Sequence, residues 1–355
     1  MKSSVNEILH KFREFVSTEG FEKTPILTAY VNTDPTDADN RKDRPGWLIE
    51  LKNEAKRLKE QLDQQQLKRR DNQNKWSGTE EWAMEQLKDR KSTGRSVVLF
   101  TDHESHFSVD LPLPSPTKLY YGFPQLKHML FNLDQYKKYL VVLLSGSDVR
   151  TLEVFLTRTT DEVRHETDLD LLGRYGRSGH SHKHESRTEE YERRFVKDVS
   201  AALDKYFLDD PEVDRLILAG NQKQARAVQR GLHQTAKSKL VSVEVIDFKA
   251  ADVEVAKHVK DVADRFEGEH DMTVVHDLIA RHNRGGSGIV EKQGVDNALE
   301  NHQVRTLVLP YPTSGEDFDS VIVNATLSGA AIEFVYGEAA NHLNEFGGIG
   351  AVLYQ

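Results

Sequence analysis

Two six-residue runs, Tyr139-Leu-Val-Val-Leu-Leu144 and Thr151-Leu-Glu-Val-Phe-Leu156, stand on either side of Ser145-Gly-Ser-Asp148. Each run is too short for a buried helix, and a polar tetrapeptide containing glycine makes a turn, so the pair reads as a β-hairpin. Glu162-Val-Arg-His165 adds a third strand. After a polar stretch, Phe195, Val196, Val199, Leu203, Tyr206 and Phe207 recur on one helical face. A strand at Arg215-Leu-Ile-Leu-Ala-Gly220, a helix through Ala225 and Val228 and a strand at Val241-Ser-Val-Glu-Val-Ile246 follow. Such an order buries its apolar faces only by laying helices on a sheet, which is an α/β layer structure.

The N-terminal third reads the same way. Ile26–Val31 is a strand closed by Asn32-Thr-Asp-Pro35, and Ser96–Phe100 is a second strand. Between them Leu48, Leu51, Ala55, Leu58 and Leu62 keep a three-four spacing, predicting a helix whose stripe packs on its own sheet. Ser77-Gly-Thr-Glu80 has capping-box spacing and starts another short helix. A long helical pattern from about Phe248 to Ile279 opens the last third, and Gly285-Gly-Ser-Gly288 is a turn before Ile289 and Val290. That glycine cluster lacks the lysine and hydroxyl of a phosphate-binding loop.

At 355 residues the chain exceeds one core. We expect three mixed α/β domains: 1–136, 137–247 with a projecting loop over 168–187, and 248–355. A 37% hydrophobic and 30% charged composition fits a globular protein, and no apolar run is long enough to span a membrane. The first residues carry no apolar signal core and the chain has no cysteine, so disulfides and thiolate metal sites are excluded and the cytoplasm is the expected location. A net charge of -9 excludes a protein that coats nucleic acid over its whole surface, so any RNA contact must be local.

The last segment is the most specific. Ala331-Ile-Glu-Phe-Val-Tyr336 is a strand, and Phe346-Gly-Gly-Ile-Gly-Ala-Val-Leu-Tyr-Gln355 is a glycine-rich turn leading into another. Together with Gly294–Glu300 and Val304–Leu309, this ending resembles the last domain of the archaeal and eukaryotic class 1 release factors and Pelota. The likeness extends to their bacterial relatives, including Balon-type ribosome hibernation factors. It implies an RNase H-like middle domain and an L7Ae-like C-terminal domain of the release-factor type.

In that family the middle domain projects a Gly-Gly-Gln loop into the peptidyl-transferase centre. The equivalent stretch here is Gly173-Arg-Tyr-Gly-Arg-Ser-Gly-His-Ser-His-Lys-His-Glu-Ser-Arg187, and no glutamine occurs between Thr151 and Gly220. Gly173, Gly176 and Gly179 suit close approach to RNA backbone. Arg174, Tyr175, Arg177, Ser178, His180, His182, Lys183, His184 and Arg187 are the candidate RNA contacts. The resemblance thus implies a ribosome-binding factor in the A site, touching ribosomal RNA without hydrolysing peptidyl-tRNA, in hibernation or, alternatively, in rescue of stalled ribosomes. It also implies a translational GTPase partner, elongation factor Tu in bacteria. No Asn-Ile-Lys-Ser codon-reading motif occurs.

An enzyme remains the reading from another class. His180 or His182 could serve as general base, and Asp161, Glu162, Asp168 and Asp170 could imitate an RNase H-type carboxylate cluster. The acidic residues fall in a charged turn and read as solvated surface. Alternating His180, His182 and His184, with His165 upstream, could gather zinc, but no acidic partner stands at fixed spacing, so neither metal nor cofactor is expected. Gly94-Arg-Ser96, Lys42 with Arg44, and Lys68-Arg-Arg70 are lesser basic patches, read as solvated faces.

Overall fold

The computed structural model describes residues 5–16, 25–65, 81–83, 85–87, 94–102, 104–157, 163–167, 188–209, 213–313 and 318–354. Residues 1–134 and 271–355 form one compact unit, and residues 135–270 form a second. Three sheets with helices against them make a mixed α/β protein, as the residue patterns require.

The N-terminal sheet has four antiparallel strands, β1 (Ile26–Asn32), β2 (Ser96–Thr101), β3 (His106–Leu111) and β4 (Lys118–Gly122), in the order β3-β2-β1-β4. Against one face lies α2 (Gly46–Gln65), whose Leu51, Ala55 and Leu58 are buried with Leu27, Ala29, Val97 and Leu99. The leucine stripe therefore packs on its own sheet. Against the other face lie Phe12 and Phe15 of α1 (Val5–Val16) and Met129 and Leu130 of α3 (Lys127–Gln135). The helix α1 has a three-four stripe of Ile8, Leu9, Phe12, Phe15 and Val16 that the sequence reading missed, whereas β3, β4 and α3 carry no strong signal in the sequence. In β3, for example, four of the six residues are only partly buried or exposed, which blurs the alternation.

In the second unit β5 (Tyr136–Ser145) and β6 (Asp148–Thr157) form the expected hairpin, with Ser145 opposite Asp148 and a two-residue turn at Gly146–Ser147. The third strand β7 (Val163–Thr167) pairs with β6. Strands β8 (Arg215–Gly220) and β9 (Leu240–Val243) run parallel to β5, giving the order β7-β6-β5-β8-β9. One face carries α4 (Thr188–Asp209), whose Phe195, Val199, Leu203 and Tyr206 pack on Leu140, Val142, Leu216 and Leu218. With it lie α5 (Gln222–Gly231) and α6 (Gln234–Ser238). On the other face Val255, Val259 and Val262 of α7 (Asp252–Asn283) meet Tyr139, Val141, Leu143 and Ile217. The last strand is shorter than its alternation predicts. After Val243 the chain turns, Glu244 meets His258 of α7 at 3.1 Å, Val245 is exposed and Ile246 is buried against the helix.

Beyond His270, α7 belongs to the first unit, where Val275, Leu278 and Ile279 are buried. The C-terminal sheet holds β10 (Gly288–Val290), β11 (Val304–Pro310), β12 (Ala331–Val335) and β13 (Gly350–Leu353) in the order β10-β13-β11-β12. The final strand is thus interior to its sheet, antiparallel to both neighbours. Around it lie α8 (Lys292–Glu300), α9 (Phe318–Ser328) and α10 (Gly337–Glu345). Gly347 and Gly348 take φ of +101° and +71°, so the Phe-Gly-Gly segment is a turn that only glycine makes without strain. Val295, Leu307, Ile322, Phe334 and Ile349 share one continuous core with Phe12, Tyr30, Phe100 and Met129 of the N-terminal elements.

Candidate functional site

The twelve candidate contacts between Gly173 and Arg187 lie outside the described residues, as do Asp161, Glu162, Asp168, Asp170, Lys68–Arg70 and Ser77–Glu80. What the structure does describe is the frame on which that segment is mounted. It leaves from Thr167, the end of β7, which stands opposite Leu152 of β6. It returns at Thr188, the start of α4.

Both ends face the edge of the middle sheet where β5 and β8 finish. Because β7 runs antiparallel to β6, it heads back toward the Gly146–Ser147 turn. The start of α4 is tied to the same edge by an ion pair between Glu192 and Lys223, the second residue of α5, at 3.0 Å.

This edge is stiffened by hydrogen bonds that apolar periodicity does not reveal. Gly220 ends β8 with φ +90°, and a Cβ there would lie 2.3 Å from the Leu144 carbonyl oxygen, so glycine is obligatory. Asn221 then donates its backbone N–H to Leu144 O at 2.7 Å, and its side chain caps α5 by accepting from Gln224 N at 3.2 Å. The buried Gln224 amide closes on the hairpin turn, donating to Gly146 O at 2.7 Å and accepting from Gly146 N at 3.1 Å. An asparagine directly after a strand and before an apolar helical pattern is an N-cap signal that sequence reading could have used.

The opposite edge holds buried charge. On one face Lys138 and Glu153 pair at 3.0 Å, with the Tyr206 hydroxyl donating to Glu153. On the other face Arg215 binds Glu267 through Nε at 2.9 Å, and Tyr139 donates its hydroxyl to the same carboxylate at 3.1 Å. Burial pushes the Tyr139 hydroxyl well above its ordinary pKa. Burial also raises the Asp214 carboxyl, which accepts from Lys138 N at 2.8 Å. These groups are mutually satisfied and are structural partners rather than a reacting set.

Of the basic patches in the N-terminal sheet, one changes character. Arg95 is no solvated side chain: it is largely buried and bonds Asp34 Oδ2 through Nε at 2.7 Å. Burial would raise the Asp34 carboxyl, but hydrogen bonds from Thr36 and Arg95 outweigh it and hold the pKa below the ordinary value. Lys42 is exposed and paired with Asp39 at 2.6 Å, and Arg44 is exposed. Among the described residues no group of three or more histidine and acidic side chains could hold a metal ion, and no helix is long and apolar enough to cross a membrane.

Residues 124–264 match the family described as bacterial archaeo-eukaryotic release factor family 10. That segment is thus similar to the bacterial relatives of the archaeo-eukaryotic release factors. The matched release-factor segment takes in the whole of the middle sheet, α4 and the first part of α7. No curated protein matches. Among solved structures, an archaeal translation termination factor, aRF1, is 18% identical over 100% of this chain and 99% of its own, with a TM-score of 0.27. Dom34 of S. cerevisiae, a translation termination-like factor, is 13% identical over 73% of each chain at a TM-score of 0.44. Pelota of Archaeoglobus fulgidus is 13% identical over 73% of this chain and 78% of its own at 0.33. The likeness to release factors rests on the match over residues 124–264 and not on these distant structures.

Proposed function

We propose that the protein is a ribosome-binding translation factor that occupies the A site and directs residues 173–187 at the peptidyl-transferase centre without hydrolysis. One observation carries the reading: the release-factor match spans 124–264, yet no glutamine stands between Thr151 and Gly220. Hydrolysis in this family depends on the Gly-Gly-Gln tip, so a chain that keeps the domain and lacks the tip holds the site rather than cuts. Ribosome hibernation is the role this fits. Residues Arg174 to Arg187 then contact ribosomal RNA, and a translational GTPase, elongation factor Tu, delivers the factor in the cytoplasm. A division into 1–136, 137–247 and 248–355, each with its own role on the ribosome, belongs to the same proposal.

The test is a purified-component assay with vacant ribosomes and with ribosomes carrying peptidyl-tRNA. The proposal expects co-sedimentation with vacant ribosomes, density for this chain in the A site by cryo-electron microscopy, and peptide release at background. Release abolished by His180→Ala would replace it with a hydrolase that uses the histidine-rich segment.

A further inference from the structure

From Arg215 to Val243 the chain runs 29 residues without one carboxylate, although 57 of its 355 residues are acidic. The same stretch carries Arg215, Lys223, Arg226, Arg230, Lys237 and Lys239. The fold sorts these six. Arg215 is consumed by Glu267, and Lys239 folds back onto the Val213 carbonyl and the Phe207 ring. The remaining four are exposed on α5 and α6.

On α5, Lys223, Arg226 and Arg230 recur at i, i+3 and i+7 and so share one face over about 10 Å of helix. The inner face of the same helix is fixed by buried Gln224, Ala225 and Val228. The helix α4 packs alongside, with Ser200 Oγ only 2.7 Å from where a Cβ on Gly231 would stand. Among the described residues two carboxylates of α4 bond to this surface. Glu192 pairs with Lys223, and Asp204 accepts from the His233 backbone N–H at 3.0 Å. Among the described residues no hydrogen bond or ion pair holds the side chains of Arg226, Arg230 or Lys237.

Three cations that no described residue pairs, on helices packed against α4 in a chain of net charge -9, form a local positive surface. We propose that this α5–α6 face is a second RNA-backbone contact, which grips phosphates independently of residues 173–187. It rests on the ribosome-binding reading for the identity of its RNA. Arginine suits the task because its planar fork binds phosphate oxygens two at a time. The face starts at Lys223, on the edge that also carries Thr188, and continues along α5 to Arg230, with Lys237 following on α6. Contacts of this kind set affinity and orientation, not sequence choice.

The experiment compares the full chain with an Arg226→Gln/Arg230→Gln/Lys237→Gln variant, binding vacant ribosomes across a salt series. The substituted residues are exposed, so an unchanged thermal transition confirms folding. Removing three phosphate contacts should cut the slope of log affinity against log salt by about 2 to 3 and weaken binding on the order of a hundredfold at 0.1 M salt. Wild-type binding with an unchanged slope in the variant overturns the proposal while leaving the ribosome reading intact. If the wild type does not bind ribosomes, that reading fails, and a 20-base-pair RNA hairpin serves as the probe instead. A slope difference there sustains the phosphate surface, and equal slopes overturn it.

Discussion

The Tyr336 hydroxyl donates to Asp134 Oδ2 at 2.8 Å across 202 residues of sequence, while the Tyr336 backbone N–H donates to Asp271 Oδ2 at 3.0 Å. Asp134 and Asp271 are the two residues at which the chain leaves and re-enters the first unit. Tyr336 therefore fastens both crossing points, and its ring sits 5.0 Å from that of Tyr311. Tyr336→Phe keeps the ring and removes one charge-assisted bond, so a loss of about 1.5 to 3 kcal/mol in urea denaturation is expected. A double-mutant cycle with Asp134→Asn should show coupling of about 1 kcal/mol, and additivity of the two would deny the link.

Gly220→Ala at the end of β8 should be severely disruptive. Its Cβ would meet the backbone oxygen of Leu144 and would also need φ +90°, so neither a side-chain rotation nor a small shift relieves it. A fall of about 3 kcal/mol or more in stability is expected, with release of the Asn221 cap. Circular dichroism melts near those of wild type would contradict the placement of this edge.

Breaking the Arg95–Asp34 pair leaves a charge in a largely buried site. Arg95→Met should destabilise by about 3 kcal/mol at neutral pH. Because the Asp34 pKa is depressed in the folded protein, its contribution is present above the unfolded value and is lost as pH falls through the folded value. The gap between wild type and variant should therefore close in acid. Thermal melts over a pH series read this directly, and a gap that widened below about pH 4 would exclude the pair as its source.

Asp214 has the opposite sign. Its carboxyl is held above the ordinary value by burial, against the pull of Lys137, the Lys138 N–H, Arg215 and Lys239. A raised folded pKa favours folding below the unfolded value, and that contribution disappears as pH rises through the folded value. Asp214→Asn keeps an acceptor for Lys138 N and removes the buried charge. It should melt higher than wild type at neutral pH, with the advantage shrinking toward about pH 4. A variant less stable at every pH would show that the carboxylate is held by its cationic neighbours after all.

Much of the fold is legible in local pattern. The hairpin at Tyr136–Thr157, the helix face from Phe195 to Phe207, the α2 stripe and the final strand all announce themselves, because each buries a face whose period matches its geometry. The β3 and β4 strands do not, since partly exposed strands mix polar and apolar residues without a clean alternation. The candidate site is legible only as chemistry. Glycines and cations from Gly173 to Arg187 suggest RNA, whereas the frame of Gly220, Asn221 and Gln224 and the uncompensated face of Arg226, Arg230 and Lys237 depend on which carboxylates the fold brings near.

The sequence by itself determined most of the elements, because periodicity and turn chemistry are local properties of the chain. Only the tertiary structure decided that Phe12 and Tyr30 share a core with Phe334 and Ile349, and that Arg95 is buried against Asp34 while Arg226 is left free of any carboxylate among the described residues. These outcomes turn on contacts between residues tens to hundreds of positions apart. No local pattern encodes them, since burial and pairing are fixed by the sum of packing across the whole unit.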